Sequence, residues 1–238
     1  MMKSIFISIT PAAFLLALGN LALVLPSLAQ QPSTAERIAA LKASLASSQA
    51  ILKQYEWIET TAVSLKGEER SRQMERCYYG ADGKIQKLPV TAPPPEEKKR
   101  GLRGKIAKKK KEEMTDYMKQ AVGLVKLYLP PDPARIQAAK DAGKVSVTPS
   151  PGQRVRLTFA DFIKPGDSLA LDVDLTNNRP LEAKVATYLD SHKEPVTLDV
   201  RFSTLDNNAT YAANIALEAK AKKLKVNVEN SGYRKQTP

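Results

Sequence analysis

The residues able to do chemistry are few, and their spacing argues against most reactions. His192 is the only histidine in the chain. It sits in a turn-like stretch between Asp190 and Pro195, which excludes a multi-histidine metal site and leaves one candidate imidazole base. Asp172 and Asp174 open like a calcium loop, Asp-x-Asp-x-Thr. The resemblance fails at the sixth position, Asn177 where glycine is required, and at the twelfth, Ala183 where a bidentate glutamate belongs. Both carboxylates alternate with Leu171, Val173 and Leu175, the pattern of a strand's solvated face. As a glycosidase pair they lack an accompanying aromatic cluster. Cys77 is the only cysteine, so no intrachain disulfide forms, and on a strand pattern it reads as a small buried hydrophobe. There is no glycine-rich phosphate loop, no nucleophile elbow and no His-Glu-x-x-His helix. These residues point away from an enzyme and call for no cofactor and no metal.

Charge is the more informative property. The formal net charge is +12, and most of the excess lies in one stretch free of acids: Lys98, Lys99, Arg100, Arg103, Lys105, Lys108, Lys109, Lys110 and Lys111. The first residues give that charge a setting. Met1-Met2-Lys3 is a short basic start, Ile5 to Leu25 an apolar run and Ser27-Leu28-Ala29 a small-x-small cleavage site, together a secretory signal peptide over 1–29. The expected product is soluble after cleavage and periplasmic or secreted. There the anionic partners are a membrane surface, lipopolysaccharide or an envelope glycan, not nucleic acid.

The elements that position these groups follow from periodicity. Ser33-Thr34-Ala35-Glu36 is a capping box, and Ile38, Leu41, Leu45 and Leu52 form the stripe of the helix it starts. From Tyr55 the period falls to two, giving a strand with Tyr55, Trp57, Thr61, Val63 and Leu65 on one side, then strands over 69–79 and 84–88 separated by turns at Lys66-Gly67 and Gly80-Ala81-Asp82-Gly83. Residues 89–111, with Pro93-Pro94-Pro95 and the basic cluster, read as an exposed excursion. Met114, Tyr117, Met118, Ala121, Val122 and Val125 then line a second helix whose better first turn is Glu112-Glu113. Asp132-Pro133 and Gly143 bracket a short third helix. Beyond it, alternating apolar residues centred on Leu157, Leu171, Ala183, Leu198, Ile215 and Val226 predict six antiparallel strands joined by turns.

This order, with Trp57 in the first strand and the Gly80–Gly83 turn, resembles the periplasmic lipoprotein-carrier fold of the LolA and LolB type. More narrowly, runs such as Pro130-Pro131-Asp132-Pro133 and Lys164-Pro165-Gly166-Asp167 are similar to uncharacterised exported bacterial proteins. The resemblance implies an incomplete barrel that wraps helices and accepts acyl chains. The expectation is therefore a single α+β domain over 30–238, a curved antiparallel sheet packed on an N-terminal helix and one or two further helices. Its expected function is to carry a lipid or the acyl chain of a lipoprotein in an apolar cavity lined by Trp57, Val63, Met114, Met118, Leu157, Phe159, Leu171, Val173, Leu198, Val200 and Phe202. The alternative is a cell-envelope module that docks on anionic lipid or glycan through its basic segment.

Overall fold

The computed structural model describes residues 34–90 and 102–236. The expected signal peptide, Ser33 of the capping box, and Lys98, Lys99 and Arg100 lie outside them.

The chain opens with α1 (Thr34–Leu52), then β1 (Tyr55–Leu65), β2 (Glu68–Tyr79) and β3 (Ile85–Pro89). Two helices follow, α2 (Leu102–Val125) and α3 (Pro133–Asp141). Seven strands complete it: β4 (Val145–Ser150), β5 (Arg154–Ala160), β6 (Ser168–Asp174), β7 (Arg179–Tyr188), β8 (Pro195–Thr204), β9 (Thr210–Ala219) and β10 (Leu224–Lys235). All ten belong to one sheet in the order β3-β2-β1-β10-β9-β8-β7-β6-β5-β4. The chain enters in the middle, steps out to β3, crosses through α2 and α3 to the far edge and returns strand by strand until β10 pairs antiparallel with β1. β3 and β4 remain unpaired at their outer sides, so the curved sheet is an incomplete barrel.

Two differences from the sequence reading have physical causes. β4 is a seventh strand in this half, one more than the six that alternation predicts, and Pro149 within it pairs with Val155. An edge strand tolerates proline because the outward amide has no partner to lose. Helix α2 begins at Leu102, so Arg103, Lys105 and Lys108 to Lys111 belong to a regular helix rather than to an irregular excursion. Lysine and arginine are good helix formers, and their repulsion along an exposed helix is screened by water.

Register organises the core. One row runs Phe159, Leu169, Val185, Leu198, Leu217, Val226 and Val63, each directly opposite the next across six strand pairings. A second runs Leu157, Leu171, Ala183, Val200, Ile215 and Val228. Helices seal these rows: α1 supplies Leu45, α2 supplies Tyr117, Met118, Ala121, Val122 and Val125, and α3 supplies Ile136 and Ala139. The Tyr128 hydroxyl donates to Asp167 and receives the Thr187 hydroxyl proton at 2.7 Å, tying the chain after α2 to the β5–β6 loop and to β7. As expected, Asp132 caps α3, its carboxylate accepting from the Ala134 amide at 2.8 Å.

Candidate functional site

The expected cavity lining divides in two. Met118, Leu157, Phe159, Leu171, Val173, Leu198 and Val200 are each no more than 5% exposed and belong to one continuous buried cluster. Val63, Met114 and Phe202 are half-buried at its margin. Trp57 is buried elsewhere, at the far end of β1.

Followed past β10, the apolar rows change character. Val228 faces Thr61, which faces Gln73, and Val226 faces Val63, which faces Ser71. Farther along the same face of β1, Asn230, Glu59, Glu75 and Pro89 make one row, and Trp57, Cys77 and Lys87 the next. The principal helix contacts fall on β1, β5, β7, β8 and β9, and none of them on β2 or β3. The face that is oily under the helices is therefore polar and aromatic on the wing formed by β1, β2, β3 and the end of β10.

At the centre of that wing the Lys87 ammonium pairs with the Glu59 carboxylate, their side chains only 8% and 4% exposed. Charges taken out of water are tolerated when each neutralises the other, and the Thr61 hydroxyl adds a long 3.5 Å hydrogen bond to Glu59. Beside the pair, Trp57 stacks on Tyr233 at 5.5 Å and 12° and meets Tyr79 at 5.8 Å. Tyr233 in turn meets Tyr211 at 4.3 Å. The indole N–H donates to Asn230 at 3.1 Å, and the Asn230 amide donates to the Ala212 carbonyl at 2.8 Å, so the ring is fixed from both sides. Burial pushes the Tyr79 phenol up to about 12. Burial, then the neighbouring Glu59 charge, pushes the Cys77 thiol up to about 12 as well, which leaves no thiolate nucleophile near neutral pH. Burial followed by Tyr211 and Tyr79 raises the Tyr233 phenol further.

Of this cluster the sequence reading contained only Trp57. Glu59, Lys87, Tyr79, Tyr233 and Asn230 were missed. One signal was present: with a period of two, Glu59 falls on the same side as Trp57 and Val63, an inward carboxylate that a core strand would not carry.

The residues that first suggested chemistry have structural roles. His192 packs on Tyr188 with ring centroids 4.1 Å apart, in a turn against the β5–β6 loop, where a side chain on Gly166 would strike it. Asp172 lies opposite Arg156 on β5 and takes a bidentate pair of hydrogen bonds at 2.5 and 2.6 Å, which hold its carboxyl below the ordinary range. Asp174 departs from the expected solvated position: it is 7% exposed and closes the β6–β7 turn by accepting from the Thr176 amide at 2.9 Å and the Asn177 side chain at 2.8 Å. Among the described residues no group of three or more His, Cys, Asp or Glu could hold a metal ion.

Lys105 and Lys108 to Lys111 are exposed on the first half of α2. No helix among the described residues is long and apolar enough to cross a membrane.

An open ten-stranded sheet with helices on its oily face is the class of molecule these features define. No protein-family model matches the chain, and no curated protein matches it. Among solved structures it is similar to a LolA superfamily protein from Nitrosomonas europaea, with a TM-score of 0.37 and 12% identity over 83% of this chain and 94% of that one. It is also similar to a DUF1329 family protein from Desulfovibrio piger, with a TM-score of 0.39 and 11% identity over 84% and 92% of the two chains. A third likeness is to a candidate outer membrane lipoprotein-sorting protein domain from Vibrio parahaemolyticus, with a TM-score of 0.36, 11% identity and coverage of 81% and 91%. At such scores, function has to be read from this chain's own residues.

Proposed function

We propose that the protein is an exported, periplasmic carrier of a lipid or of a lipoprotein acyl chain. The bound amphiphile lies on the wing face of β1, β2, β3 and β10. The observation that carries this reading is the change along a single sheet face, from rows sealed by helices, with Val63, Leu65, Met114 and Phe202 half-buried at their margin, to an aromatic cluster around the Glu59–Lys87 pair. Aromatic rings give large apolar area with a polar tip, which suits the junction between an acyl chain and a headgroup. A charge pair nearby offers a cation and an anion to that headgroup. The filled half of the sheet then serves as scaffold, and the seven buried residues first expected to line a cavity act as its core.

Trp57 is the only tryptophan in the chain, so its fluorescence reports on this face alone. The expected outcome is that protein from its native compartment carries an apolar adduct in native mass spectrometry, and that fatty acids brominated along the chain quench Trp57 in a saturable way after delipidation. Absence of both the adduct and the quenching overturns the reading.

A further inference from the structure

Helix α2 is two segments in one. From Tyr117 on, it is seated in the core, whereas Lys105, Lys108, Lys109, Lys110 and Lys111 are exposed and Ile106, among them, is 57% exposed. Its path follows the rim where strands turn. Tyr117 lies beneath Lys222, whose ammonium is 4.5 Å from the ring, and the chain reaches Asp167 and Thr187 at Tyr128. The lysine-rich half continues past the short 3-10 turn Lys220–Lys222, about 18 Å from Tyr117 to Lys105 at the rise of an α-helix.

That rim is itself basic. A hollow of about 390 Å³ there is lined by Ser64, Gly67, Leu224 and by Lys220, Lys223 and Lys225, with Glu218 as its one acid. Glu218 pairs with Lys225 at 3.0 Å. The Lys66 amide donates to the Lys223 carbonyl at 2.9 Å, which holds the β1–β2 turn beside the lysines.

We propose that the exposed half of α2 and the Lys220–Lys223 turn form one docking face for an anionic phospholipid bilayer. Three observations select that partner. All of the cations but Arg103 are lysines, compact point charges without a fixed fork, which match many mobile headgroups better than one rigid ligand. Lys105 lies at the first turn of the helix, where the macrodipole opposes positive charge, and the contact of Lys108 with Glu112, at 3.9 Å, is between side chains more than 60% exposed. A negative surface removes that conflict. Ile106 gives the same segment an apolar group able to enter the interfacial layer. The proposal goes beyond the carrier reading and does not rest on the wing holding a ligand.

The test is co-sedimentation of the exported protein with vesicles of phosphatidylcholine alone or mixed with phosphatidylglycerol, at low and high salt. Binding is expected only to the anionic vesicles and is expected to fall at least about tenfold at high salt. Replacing Lys108, Lys109, Lys110 and Lys111 by Gln is expected to weaken it on the order of 600-fold, since each lysine near such a surface is worth about fivefold. Lys220→Gln with Lys222→Gln is expected to weaken it about 25-fold. Gln keeps helix propensity and the lysines of the arm are exposed, so circular dichroism should be unchanged. Absence of vesicle binding at low salt, equal binding to neutral vesicles, or wild-type binding by either variant overturns the proposal. Native mass spectrometry of the same variants reports separately on the acyl adduct.

Discussion

Between β5 and β10 one face of the sheet carries Phe159, Leu169, Val185, Leu198, Leu217 and Val226 in register, while across β1, β2 and β3 the same face carries Glu59, Cys77, Lys87 and tyrosine rings. The buried polar groups of the two regions also differ in what they satisfy. In the helix-clad part the buried carboxylates cap turns besides meeting side chains: Asp167 accepts from the Ile163 and Lys164 amides as well as from Tyr128, and Asp174 from the Thr176 amide as well as from the Asn177 side chain. On the wing, Glu59 accepts from side chains, Lys87 and Thr61, and the pair joins β3 to β1 over the top of β2. A carboxylate that caps a turn is accounted for by the fold. A charge pair laid across three strands caps no turn, and that contrast is what sets the wing proposed to hold the ligand apart from the rest of the sheet.

The sharpest way to break the comparison is to cut one residue from the filled half. Phe159 has no exposed surface and faces Leu169, so Phe159→Ala should cost about 3–5 kcal/mol in urea unfolding. Trp57 quenching by brominated acyl chains should persist in whatever fraction stays folded. Were the truncated site instead to gain affinity for the acyl probe, the chain would belong under the helices, and the two regions would exchange roles.

Next in size is the pair itself. Lys87→Met leaves Glu59 buried without its cation and should cost about 3 kcal/mol or more, because an orphaned charge is worse than no charge. Adding Glu59→Leu should return stability to within about 1 kcal/mol of the parent, since apolar replacement of a buried pair is often neutral. The same double variant should keep its fold and lose discrimination between charged and neutral headgroups in the quenching assay. A double variant that binds both as the parent does would reduce the pair to an ordinary strand contact.

Much of this architecture was legible in the sequence because it depends on local signals. The switch from the helical period to the strand period at Tyr55, the Asp132-Pro133 cap and the alternation through β5 to β10 each point to the element observed. What was lost lay where two signals conflict. Val145 and Val147 alternate as a strand, yet Pro149 and Gly152 signal a turn, and only the free edge of the sheet permits both. The basic run looked irregular because Pro93-Pro94-Pro95 and Gly101 precede it, although lysines sustain a helix well once Tyr117 and Met118 anchor its far end. The wing site was hidden for a different reason. Alternation says which side of a strand faces inward, but which neighbour lies opposite depends on the pairing of β1 with β10, strands joined only by the long route through the whole chain. Hence Asn230 beside Glu59 and Tyr233 beside Trp57 could not be foreseen from spacing.

The smallest expected effect concerns the turn-capping acids, and its sign follows from their hydrogen bonds. Burial opposes the charge on Asp174, but the Asn177 side chain and amide, the Thr176 amide and the Arg179 guanidinium together hold its pKa below the ordinary value. Folding therefore depresses this pKa, so the stability it contributes is complete above its unfolded value, near about 4, and is lost as pH falls through the lower folded value. Asp174→Asn keeps an oxygen that can accept from the Thr176 amide and should cost within about 1 kcal/mol at neutral pH, roughly one neutral hydrogen bond. Its unfolding midpoint should fall less steeply than the parent's as the buffer is taken below pH 4. Parallel curves for the two proteins would mean that Asp174 is not held charged by its turn, and the distinction between acids that serve the fold and the Glu59–Lys87 pair would lose its clearest internal control.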